Sequence, residues 1–216
     1  MIEKILQLLD WIYRKNCYFC RKSSSSGIMC QSCFDKIEVF YPDPITYIDG
    51  ISVYAASSYN KELKKLIRGL KYHNKKELAR SLAELLYNFW KETELSERSY
   101  EIIPMPLFPS RQKQRGYNHM YIVAQEFSKL TGYSINTEIA KRVRDTKPQY
   151  KLSRTQRFEN MKNAFKVYPE KYNNKPLLLF DDICTTGITL KELIKTFKAN
   201  NIDDIVCFAG SSSRNF

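Results

Sequence analysis

Two adjacent carboxylates, Asp181 and Asp182, end an apolar run and lead into Ile183-Cys184-Thr185-Thr186-Gly187-Ile188-Thr189. Hydroxyl side chains and a glycine ahead of a helix suit one phosphate. The first N–H groups of a helix have no internal partner and carry partial positive charge. Thr185, Thr186 and Thr189 add O–H donors, and Gly187 lets the backbone approach closely. Carboxylates beside a phosphate repel it, so the acids must serve another group. Two neighbouring ribose hydroxyls, met directly or through a divalent cation, fit that need. The residues therefore describe a ribose 5-phosphate site. The competing reading is an ordinary strand-to-helix turn with an Asp cap and threonines that satisfy local backbone.

The elements that hold this string are legible. Leu177-Leu178-Leu179-Phe180 is apolar without alternation, as in a strand buried on both faces. Leu190, Leu193, Ile194 and Phe197 fall at helical spacing, and residues 205–210, IVCFAG, read as a second buried strand. Strand, loop, helix and strand make a βαβ unit, and open α/β sheets bind ligands at the carboxyl ends of their strands. Upstream, residues 51–59 read as a strand and residues 61–70 as a helix with Leu63, Leu66, Ile67 and Leu70 on one face. A longer helix with Leu78, Leu82, Leu85, Leu86 and Phe89 inward follows the polar break at 71–75, and residues 101–107 read as a strand ended by prolines. Asn118 can cap a helix that Gly132 closes.

A second chemistry lies near the amino terminus. Cys17-x2-Cys20 and Cys30-x2-Cys33 are separated by nine residues, enough for a small hairpin. Two such knuckles can close four thiolates tetrahedrally around Zn²⁺. A redox dithiol or a metal-free knuckle remains open. A closed four-Cys site has no open coordination position, so no catalysis is assigned to it. Cys184 and Cys207, each flanked by apolar residues, are read as structural.

Length and composition bound the rest. The 216 residues suggest one domain with an appendage: a helix and zinc module over 1–40, then a larger domain over 41–216, with the turn-rich YPDP at 41–44 between them. Ile2, Ile5, Leu8, Leu9 and Ile12 give a short amphipathic helix, which Glu3, Lys4 and Asp10 distinguish from a secretory signal. A membrane span is not expected, and the chain reads as cytoplasmic. The formal net charge is +12, and residues 111–166 hold 13 Lys/Arg against four Asp/Glu. That surplus suits phosphate-rich partners, although a solvated basic surface has the same composition.

The string FDDICTTGIT resembles the phosphoribosyl-pyrophosphate (PRPP) motif of type I phosphoribosyltransferases. The resemblance implies that Asp181 and Asp182 engage the ribose hydroxyls as the catalytic pair. Thr185, Thr186, Gly187 and Thr189 would then hold the 5-phosphate, with Mg²⁺ accompanying PRPP. Three further segments, IRGLKYHNKKELA, RQKQRGYN and RVRDTKPQYKLSRTQRFENMKNAF, resemble the ComF (ComFC) competence family, which joins a four-Cys zinc module to a phosphoribosyltransferase-like domain. His119 departs from that family's usual Gln.

The resemblance further implies an α/β fold with a parallel sheet flanked by helices and a small zinc ribbon. It implies a pyrophosphate loop with Lys71 and Tyr72, and a hood over 142–157 with Arg144 as the pyrophosphate contact. The implied role is assistance to single-stranded DNA uptake in natural transformation. Tyr117, Tyr121 and Tyr150 are candidate stacking residues, and a competence helicase or uptake protein is a candidate partner. Two other readings stay open: a salvage or biosynthetic phosphoribosyltransferase acting on a base or amine, and a non-catalytic PRPP-binding adaptor.

Overall fold

The computed structural model describes residues 15–24, 28–146 and 153–213. The expected helix over residues 1–12, Lys147, Tyr150 and Lys151 lie outside the described residues, as does the side chain of Arg154.

A two-stranded antiparallel ribbon, β1 (Lys15–Asn16) and β2 (Ser23–Ser24), precedes the one-turn helix α1 (Gln31–Phe34). An antiparallel edge strand, β3 (Thr46–Ile48), turns into β4 (Ile51–Ser58). Two helices follow without a strand between them, α2 (Lys61–Tyr72) and α3 (Leu78–Trp90). Then come β5 (Glu101–Pro104), α4 (Pro109–Arg115), α5 (His119–Thr131) and β6 (Ser134–Ile135). A hairpin of β7 (Ala140–Arg142) and β8 (Phe165–Val167) encloses α6 (Arg154–Met161). The chain ends with β9 (Leu177–Cys184), α7 (Ile188–Lys198) and β10 (Ile205–Ser212).

The main sheet has the order β3-β4-β10-β9-β5-β6, and every pairing except β3 with β4 is parallel. This is the expected α/β architecture. β9 and β10 occupy the middle and are buried along almost their whole length, which explains their unbroken apolar runs. One face of the sheet packs Leu178, Phe180 and Phe208 against Leu66, Leu70, Leu82, Leu86 and Phe127. The other packs Leu177, Leu179 and Ala209 against Leu193, Ile194, Phe197 and the β7–β8 hairpin.

The helix ends follow the expected chemistry. Asn60 caps α2 by accepting from the amide of Leu63 at 2.9 Å, and Asn118 caps α5 by accepting from that of Met120 at 3.0 Å. Gly132 closes α5 in the left-handed conformation with φ +76°. One expectation is corrected. Lys71 and Tyr72 lie in the last turn of α2, not in a loop. Leu63, Leu66, Ile67 and Leu70 bury one face of this helix, which ends at its cap His73 just before Asn74, with φ +50°.

The metal module joins the first of these cores. Cys17, Met29, Cys33 and Ile37 are buried in the same apolar cluster as Leu63, Leu66 and Leu70 of α2. Lys65 donates to the carbonyl of Phe19 at 3.0 Å, and Tyr18 hydroxyl lies 2.6 Å from Nδ1 of His73. A Cβ on Gly69 would lie 3.3 Å from the Tyr18 ring, so the module seats directly on the helix backbone.

Candidate sugar-phosphate and metal sites

Side chains alternate across a strand, so Asp181 and Asp182 leave β9 on opposite faces of the sheet. Asp181 follows Leu177 and Leu179 toward α7, and Asp182 follows Leu178 and Phe180 toward α2 and α5. Their environments differ accordingly. Asp181 lines a small open depression together with Thr185, Thr186, Gly187 and Thr189. Asp182 is not among its lining residues. Its Oδ2 is ion-paired with Lys71 Nζ and lies 2.5 Å from Nε2 of His119.

The depression has the build of an anion cradle. Gly187 caps α7 with φ +71° and ψ 0°. A Cβ there would lie 2.7 Å from Cδ1 of Ile48 in β3, which would have to move, and the left-handed backbone favours glycine. Among the described residues, Thr186 Oγ1 is buried without a hydrogen-bond partner. An orphaned hydroxyl beside the first N–H groups of α7 is a donor in want of an acceptor.

The two carboxyls titrate apart. Burial and the neighbouring Asp182 charge push Asp181 up to about 7. Burial also opposes ionisation of Asp182, but the Lys71 ammonium and the His119 hydrogen bond outweigh it and hold Asp182 well below the usual carboxylate range. Burial pulls His119 down to about 4, against the pull of Asp182.

The segment after β5 borders this site. The amide of Met105 donates to the carbonyl of Phe180 at 2.9 Å, so residues 105–118 run beside the carboxyl end of β9. Arg115, in the last turn of α4, lies 2.6 Å from His119 Nδ1 and stacks over the ring of Tyr72 at 5.7 Å. Tyr72 itself is 64% exposed. Arg111 donates to the carbonyl of Thr146 and Arg142 to its hydroxyl. Arg142 is buried, its Nε has no partner among the described residues, and burial beside Arg111 pulls it down to about 10.

Arg144 and the candidate stacking tyrosines make the following contacts. Arg144 donates to the carbonyls of Glu159 and Asn160, at 2.7 Å and 2.7 Å, and so closes the end of α6. Tyr117, expected as a stacking residue, is buried: its hydroxyl donates to Leu70 carbonyl at 2.5 Å and Lys76 covers its ring at 4.8 Å. Tyr121 is 37% exposed. The contacts of His119 with Asp182 and Arg115 are not among the sequence expectations. The signal was the period of two in β9, which turns Asp182 into the opposite core, where a buried carboxylate needs cationic or hydrogen-bonding partners.

Cys17, Cys20, Cys30 and Cys33 bring their sulfurs within 4.8 Å of one another, with Cys20 and Cys30 Sγ 3.7 Å apart. Tetrahedral thiolates about 2.3 Å from a zinc ion stand roughly 3.8 Å apart, so the group fits such a metal. The amides of Phe19 and Cys30 donate to Cys17 Sγ at 3.4 Å and 3.4 Å, an outer shell that suits a thiolate. Cys184 and Cys207 are buried, as expected of structural residues.

No family model matches the chain. It is 35% identical over 152 residues to Competence protein F of Haemophilus influenzae, covering 68% of this chain and 66% of that one. It is 30% identical over 152 residues to DNA utilization protein YhgH of Salmonella typhi, covering 68% and 65%. It is 24% identical over 198 residues to Competence protein ComFC of Streptococcus pneumoniae, covering 92% and 81%. The matched region thus spans slightly under two thirds of the first two relatives. No helix among the described residues is long and apolar enough to cross a membrane.

Proposed function

Because the chain belongs to the ComF/ComFC competence family, we propose that it is a cytoplasmic, phosphoribosyltransferase-like protein that binds PRPP with Mg²⁺ and assists single-stranded DNA uptake in natural transformation. The observation that carries the ligand is the orphaned hydroxyl of Thr186 in the cradle that Asp181 shares. Thr185, Thr186, Gly187 and Thr189 receive the 5-phosphate, and Asp181 faces the ribose. A carboxyl pushed up to about 7 by burial and a neighbouring charge gains its ionised form when a cation lies beside it. Mg²⁺ bound by Asp181 would supply charge neutralisation for a pyrophosphate. Asp182, tied to Lys71 and His119, shapes the site from the other side of the strand. Arg111, Arg115 and Arg142 supply positive charge beside it, and the cysteines hold a structural Zn²⁺.

The DNA role rests on the relatives' names, Competence protein F and DNA utilization protein YhgH, and on the basic surplus over residues 111–166. Calorimetric titration of the zinc-loaded protein with PRPP and Mg²⁺ tests the ligand. A saturable heat at micromolar concentration supports it, and its absence overturns it. Release of pyrophosphate from PRPP in the presence of a base or amine would assign a salvage-type transferase instead. Fluorescence anisotropy with a labelled oligothymidylate tests the nucleic acid. Binding should weaken linearly in log–log form with salt, as expected for phosphate contacts.

A further inference from the structure

His119 is 4% exposed and uses both ring nitrogens. Nε2 lies 2.5 Å from Asp182 Oδ2, and Nδ1 lies 2.6 Å from an Arg115 guanidinium nitrogen. A guanidinium only donates. Nδ1 must therefore carry the lone pair and Nε2 the proton, so one tautomer of the neutral ring satisfies both contacts. An imidazolium would set N–H against N–H across 2.6 Å. The charged groups around the ring are Asp182 of β9, Lys71 of α2 and Arg115 of α4. Only the first favours a positive ring, and burial opposes it.

Arg115 is the other end of this bridge. Among the described residues it meets His119 and the face of Tyr72, neither of which is an acid. Burial makes its charge harder to carry, and Asp182 is the first charge that offsets this. A half-buried guanidinium with donors left over, on the Asp182 side of the strand whose other side faces the cradle, is built to receive an anion.

We infer that His119 is a positioning residue: as a neutral bridge it anchors Asp182 on the far face of β9 and holds Arg115, against Tyr72, ready for a phosphate group of the ligand. This rests on the sugar-phosphate reading above. A glutamine side chain can make the same two contacts, with its amide donating to Asp182 and its carbonyl oxygen accepting from Arg115. A leucine can make neither.

The test is a variant set titrated with Mg²⁺ and PRPP on the full zinc-loaded chain, with circular dichroism as the control for folding. His119→Leu should weaken binding about tenfold, as should Arg115→Gln, each losing one charge-assisted contact. His119→Gln should restore affinity to within about threefold of the original. In the Arg115→Gln background, His119→Leu should add little, because both act through one group. Full additivity, or a His119→Gln variant as weak as His119→Leu, overturns the inference. Nitrogen-15 NMR of the ring gives an independent reading: the Nε2–H tautomer should persist from pH 5.5 to 8. An imidazolium or the Nδ1–H form at pH 7 overturns the bridge even if PRPP binds. The Nε2–H form without any PRPP binding would instead discard the ligand and keep the bridge.

Discussion

The amide of Asp182 donates to Oδ1 of Asp181 at 2.8 Å, yet the two carboxylates depart from β9 into opposite halves of the protein. One faces the cradle, and the other completes a buried ion pair with Lys71. Neighbours in sequence therefore do different work.

Exchange of each acid for its amide should separate those roles. Asp181→Asn should abolish Mg²⁺–PRPP binding with little loss of stability, because it removes a strained buried charge. Asp182→Asn should lower stability by about 3 kcal/mol, since it leaves the Lys71 ammonium without its partner. Urea unfolding and calorimetry read the two effects. Equal loss of stability in both variants would contradict the division.

Acid titration carries a second signature. Asp181 holds a proton up to about pH 7 in the fold, whereas an unfolded carboxyl releases it near 4. Its contribution is full below that lower value and is lost as pH rises to 7. His119 resists protonation down to about 4, whereas an unfolded imidazole takes a proton near 6.5. Its contribution is full above 6.5 and is lost as pH falls toward 4. The two trends oppose each other over this window. His119→Gln should remove the second, so the variant should gain on the order of 3 kcal/mol relative to the parent between pH 6.5 and 4. Denaturant midpoints across pH measure it.

Gly187→Ala meets two obstacles, the left-handed backbone and Cδ1 of Ile48 at 2.7 Å. The backbone term alone should cost roughly 1–2 kcal/mol. Ile48→Val in the same chain should relieve the contact but not the dihedral, so thermal stability should recover only in part.

Removal of the metal should be felt beyond the cysteines. A strong chelator, or Cys17→Ser, should lower the thermal midpoint by roughly 10 °C, because the sulfur cluster shares its apolar packing with α2. PRPP affinity should fall as well, since the last turn of that helix carries Lys71. Readdition of zinc to the chelated protein should restore both.

Much of this was legible in the sequence because its signals are local. The cradle is one unbroken string, the metal group is fixed by cysteine spacing, and the central strands declare themselves by apolar runs. What stayed hidden depends on contacts distant in the chain. His119 meets Asp182 from 63 positions away, and no spacing rule links them. Arg144 reads as a basic residue of the hood, and the two helix-end carbonyls its guanidinium reaches lie 15 and 16 positions away. The aromatic ring of Tyr117 reads equally well as a nucleic-acid platform or as filling, and burial decided for filling.

Tyr18, Lys65 and His73 weld the cysteine ribbon to the wall of the larger unit. Beneath them the apolar part of the seam, Cys17, Met29, Cys33 and Ile37 against Leu63, Leu66 and Leu70, is interior, like masonry shared by adjoining rooms. A chain begun at residue 41 would open Leu63, Leu66 and Leu70 to water and invite aggregation. Any attempt to assign jobs to the halves by cutting them apart would damage both, so single-residue exchange is the proper scalpel here.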